Sequence, residues 1–67
     1  MYRNITANAE GNGENVGPAY KTITEAVEAA VDVVITTARV ITVADATGRS
    51  VATVAGTPFG VQVREVA

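Results

Sequence analysis

Few side chains in this sequence could do chemistry, and their types narrow the choices at once. The 67 residues include no cysteine and no histidine. Thiolate and imidazole ligands are therefore missing, and zinc held by carboxylates alone is not expected. Ser-His-Asp and Cys-His nucleophiles are excluded on the same ground, as is histidine acid/base chemistry. What remains is seven acids against five bases, a formal charge of −2. That balance gives no strong pull toward nucleic acid or an anionic membrane.

Four groupings could still form sites. Glu25, Glu28 and Asp32 recur at helical spacing. Paired carboxylates do acid/base work only in a cleft that shifts their pKa values. On a wet helix face they are solvated charge, or a strip that meets a basic partner. Gly11-x-Gly13-x-x-x-Gly17 precedes a helix as phosphate-cradling loops do, but it lacks the dinucleotide spacing and any Gly-Lys-Ser/Thr. Asn8-x-Glu10-x-Asn12-Gly13 imitates the opening of a calcium loop, yet Ala19 stands where a bidentate glutamate would close it. Arg39, Arg49 and Arg64, with Arg3, could line a β-ribbon in a DNA groove, but acids outnumber them and no lysines flank them. No catalytic residue, cofactor or metal is expected, and the chain is read as a non-enzyme. An enzyme would need Asp, Glu, Lys21 or Tyr to act alone, at a subunit interface.

These side chains must be carried by the elements of one small domain spanning residues 1–67. A short strand is expected within residues 1–9, with Ile5 its only strongly apolar member. An Asn/Gly-rich loop follows over 10–19. Thr22-Ile23-Thr24-Glu25 is a capping box, and Ile23, Val27, Ala30, Val31 and Val34 then recur at helical spacing, so a helix is placed at 20–37. Val31 to Thr37 is mostly β-branched and argues locally for strand. Residues 39–66 read as a three-stranded meander with two similar turns, Asp45-Ala46-Thr47-Gly48 and Thr57-Pro58-Phe59-Gly60. Each has a side-chain acceptor first and glycine fourth, the pattern of a type I turn followed by a left-handed residue. The expected fold is α+β, a two-layer β-α-β-β-β domain. Its antiparallel sheet has three or four strands, with one helix across one face.

The turns suggest a register in which Asp45 faces Arg49, Val43 faces Val51, Ile41 faces Thr53, Thr57 faces Val61 and Ala55 faces Val63. The helix would then cover Ile41, Val43, Val51, Val61 and Val63. A one-residue slip would invert the faces. The opposite face would carry Val40, Ala44, Ala52, Val54 and Val66, rimmed by Thr42, Ser50, Gln62 and Arg64. It is small and mostly uncharged, as suits packing in a symmetric dimer. Phe59, the only phenylalanine, sits at a turn tip, where it could anchor a partner or fold back over the core end. Tyr20 has the same two readings.

Val and Ala occur twelve times each and Thr nine times, with no leucine and no tryptophan. Burying one valine contributes only about 1.5 kcal/mol, and no disulfide or metal adds to it. The core is therefore thin, and association is the help still open. The expected function is a non-enzymatic protein–protein interaction module acting as a homo-oligomer, most simply a dimer. The alternative is a phage-type inhibitor of a host protein, an anti-CRISPR or polymerase inhibitor, that binds through the N-terminal loop and through Glu25, Glu28 and Asp32. The layout resembles that of many small bacterial and phage proteins, a likeness of architecture without a shared motif. No apolar run reads as a signal peptide or a membrane span, so a cytoplasmic protein is expected, with no membrane or nucleic-acid partner.

Overall fold

The computed structural model describes residues 1–7, 13–37 and 39–65. It contains strands β1 (Arg3–Ala7) and β2 (Gly13–Asn15), helix α1 (Ile23–Thr37), and strands β3 (Ile41–Ala44), β4 (Ser50–Thr57) and β5 (Gly60–Glu65). The strands form a single antiparallel sheet of order β2-β1-β3-β4-β5, and α1 packs on one face. The α+β fold is as expected, with more strands: Gly13–Asn15, expected in a loop, pairs with β1, and β1 joins the sheet beside β3.

The helix begins where the capping residues place it. The Glu25 N–H donates to the Thr22 hydroxyl at 3.1 Å, satisfying one of the free donors of the first turn. The β-branched run from Val31 stays helical because tertiary burial outweighs local propensity. Ala26, Ala30 and Val34, four residues apart, form a stripe buried against the sheet. At the far end, Thr36 donates its hydroxyl to the Asp32 and Val33 carbonyls, and Thr37 donates to Val33 at 2.7 Å. The segment before the helix is tied to the sheet by Tyr2 and Tyr20, whose main chains exchange two 2.7 Å hydrogen bonds.

The register departs from expectation at two points. The first turn forms as read: the Asp45 N–H donates to the Arg49 carbonyl, and Gly48 takes a positive φ of 86°. The pairing then shifts, with Ala44 opposite Ser50 and Val43 opposite Ala52. Val51 is the extra residue of a β-bulge, which turns the rest of β4 over. Ile41 therefore faces Val54 instead of Thr53. The second turn is tighter than read. Thr57 pairs with Gly60 across only Pro58 and Phe59, so Val54 faces Val63 and Gly56 faces Val61. This second shift cancels the first for β5. Val61 and Val63 lie on the helix side, as expected, while Ala52 and Val54 have moved there unexpectedly.

The core is correspondingly small. Among the described residues its buried apolar members are Ala26, Ala30, Val34, Ile41, Val43, Ala44, Ala52 and Val54, half of them alanine. Beneath the helix the first strand contributes polar residues. Asn4 and Thr6 are buried, while Ile5 faces the other way and is only half-buried. The Asn4 Nδ2 donates to the Ala26 carbonyl at 2.9 Å, and Thr6 Oγ1 donates to the Val40 carbonyl at 3.1 Å. These bonds fix β1 to the helix and to the approach to β3 and satisfy the Asn4 amide N–H and the Thr6 hydroxyl, while the buried Asn4 Oδ1 has no partner among the described residues.

Candidate interaction surface

The expected self-association face does not form. Ala52 and Val54 are fully buried under the helix because the bulge at Val51 turned β4 over, while Ala44 stays on the open face opposite Arg3 but is only 3% exposed. Of that group only Val40 is exposed, and Val66 lies outside the described residues. The open sheet face instead carries Arg3, Ile5, Thr42, Thr53, Gln62 and Arg64, which is more polar than the expected one.

The other candidates are placed as follows. Glu25, Glu28 and Asp32 are all exposed on the outer side of α1. Tyr20 is half-buried and packs on the cluster of Ala26, Val43 and Ala52, so it serves the core. Phe59 is fully exposed at the tip of the β4–β5 turn and does not fold back. Most of the Gly-rich loop and of the calcium-like motif, residues 8–12, lies outside the described residues. Among the described residues no three His, Cys, Asp or Glu gather in a geometry that could hold a metal ion.

An open concavity of about 400 Å³ lies on the face away from the helix, bounded by Met1, Arg3, Ile5, Asn15, Ala19 and residues 44–48. Its one acid is already engaged. Asp45 Oδ1 accepts from the Thr47 hydroxyl at 2.6 Å, the Thr47 N–H at 2.9 Å and the Arg49 N–H at 3.0 Å. The Thr47 hydroxyl foremost, then the Arg49 N–H, hold its carboxyl below the usual range. A carboxylate stabilised in that way is a poor proton acceptor, and its work is to close the turn.

The feature that sequence reading missed is the outer edge of β5. The turn residue Pro58 has no N–H, so the closing pair Thr57–Gly60 must itself exchange the main-chain hydrogen bonds. Antiparallel pairs alternate, which leaves the N–H and C=O groups of Val61, Val63 and Glu65 directed away from β4. Beside this row Val63 is 41% exposed and Val61 is half-buried against the core. The signal in the sequence was the alternation Val61-Gln62-Val63-Arg64, but its value depended on the strand order.

Comparison of the chain with protein-family models, with curated proteins and with solved structures gives no match. The geometry alone therefore bears on function.

Proposed function

We propose that this chain is a non-enzymatic protein–protein interaction module that acts as a homo-oligomer, most simply a dimer. One observation carries the reading: apolar side chains are distributed the wrong way round for a self-sufficient monomer. The buried core is half alanine, yet Phe59 is fully exposed, Ile35 67%, Val40 54% and Val63 41%. A domain this small has little surplus stability, and covering such side chains in a second interface supplies more. The described Asp, Glu, Lys and Arg side chains are spread over the helix exterior, the turns and the strands, an arrangement suited to solvation.

The test is the absolute mass in solution by light scattering over a range of concentrations. The expected result is about twice the 6.9 kDa chain mass, falling toward one chain on dilution. A folded protein that stays at the mass of one chain up to millimolar concentration overturns the proposal.

A further inference from the structure

We infer that the partner of this chain is a second copy, joined edge to edge through antiparallel pairing of β5 with β5 about a twofold axis at Gln62. The inference rests on the self-association proposed above and names its surface. The outer edge of β5 offers three alternate outward residues, Val61, Val63 and Glu65, whose N–H and C=O groups have no strand partner among the described residues. Exposed edges are ordinarily blunted by lysine, proline, a bulge or brevity. β5 is six residues long and contains no lysine and no proline, its charges are confined to Arg64 and Glu65 at its end, and its pairing with β4 is unbroken by any bulge.

Side-chain matching selects both the occupant and the register. In a twofold antiparallel pair, one residue must face its own copy. With Gln62 on the axis, Val61 faces the other Val63 on the helix side, and Arg64 faces the other Gly60 on the open side. Every opposed pair is then apolar with apolar, or free of like charge. With Val63 on the axis, Glu65 of each copy would face Val61 of the other, which packs against the core, whereas the Gln62 register sets Glu65 beside Phe59, fully exposed at the turn tip, where the carboxylate keeps its water. With Val61 on the axis, the strands would overlap over only half of β5. In the Gln62 register the two sheets merge into one of ten strands with both helices on the same face. The valines then form a continuous strip between the helices, and Phe59 of each copy lies beside Glu65 of the other. The twofold uses up the edge, so assembly stops at two.

Two variants test this. The chain has no cysteine, so Gln62→Cys introduces a single thiol. Position 62 would be a non-hydrogen-bonded pair with Cα atoms about 4.5 Å apart, within the span of a disulfide. Mild oxidation should convert most of Gln62→Cys to a covalent dimer, while Arg64→Cys, opposite Gly60, should cross-link little. Val63→Pro removes an outward N–H that β4 does not use, a substitution an edge strand tolerates. It should keep the circular dichroism of the parent and halve its mass in solution. A dimeric parent whose Gln62→Cys variant forms no cross-link, or a folded Val63→Pro variant that stays dimeric, overturns the edge pairing and leaves the self-association reading standing. A mass above two chains overturns the closed twofold. A parent that is monomeric at every concentration, including one that pairs only with a strand of another protein, overturns both.

Discussion

The two edges of the sheet are built in opposite ways. One edge, β2, is three residues long, carries Glu14, and is followed within a few residues by Gly17 and Pro18. The Val16 N–H already donates to the Asn4 carbonyl at 2.8 Å, drawing the chain in against β1. The other edge, β5, is twice as long, alternates valine with polar residues, and follows a turn whose phenylalanine is fully exposed. Both edges carry charge, Glu14 on β2 and Arg64 and Glu65 at the end of β5, so what separates them is length and the valine flank, and a long edge with apolar flanks is a template for pairing. The contrast makes β5 the place where a partner strand would add.

The largest expected effect erases the contrast. Ile41 lies fully buried in the central strand, so Ile41→Ala should cost about 2–5 kcal/mol in urea denaturation and loosen both edges together. Gly48→Ala comes next. It places a side chain at a φ of 86° in a turn that belongs to neither edge, and should cost about 1–2 kcal/mol in thermal or urea unfolding. At protein concentrations where the fold is intact, its mass should match the parent's. Glu14→Val blurs the contrast by removing the charge from the β2 edge. A small rise above the dimer mass is expected, confined to the highest concentrations in light scattering.

The smallest effect is the pH dependence of the Asp45 turn. Its carboxyl is held below the ordinary value in the folded chain, first by the Thr47 hydroxyl. The folded state therefore binds this proton less readily than the unfolded state. The contribution is complete above the ordinary carboxylate range and is lost as pH falls through the lowered folded value. Between about pH 5 and pH 2 the thermal midpoint of the parent should fall slightly further than that of Asp45→Asn.

Much of the architecture was legible because it rests on local chemistry. Thr22 caps the helix as its side chain dictates, and Asp45 closes its turn because a carboxylate reaches across to the Arg49 N–H. The second turn has the same outline, but Thr57 behaves differently. Its hydroxyl donates to the Gly60 carbonyl at 2.7 Å and accepts from the Phe59 N–H, which draws the turn tighter by one residue. Nothing in β4 itself marks the bulge at Val51. It becomes favourable only once the helix is present to take Ala52 and Val54, so periodicity alone put the wrong face of β4 outward. Asn4 was unreadable for a related reason: it is buried because the Ala26 carbonyl stands within reach of its amide, a long-range contact. The site shared this fate. Phe59 was legible as a turn-tip residue but not whether it would fold back, and the β5 edge depended on the strand order.

The most direct measurement is amide hydrogen exchange at the two edges as a function of protein concentration. The outward N–H groups of Val61 and Val63 should exchange rapidly in dilute solution and become protected as concentration rises, in step with the measured mass. Those of Gly13 and Asn15, which the Val16–Asn4 hydrogen bond and the alternation of pairs leave directed outward on β2, should stay fast throughout. Rapid exchange at Val61 and Val63 in a solution whose mass is that of a dimer, or protection appearing at β2 instead, would contradict the account.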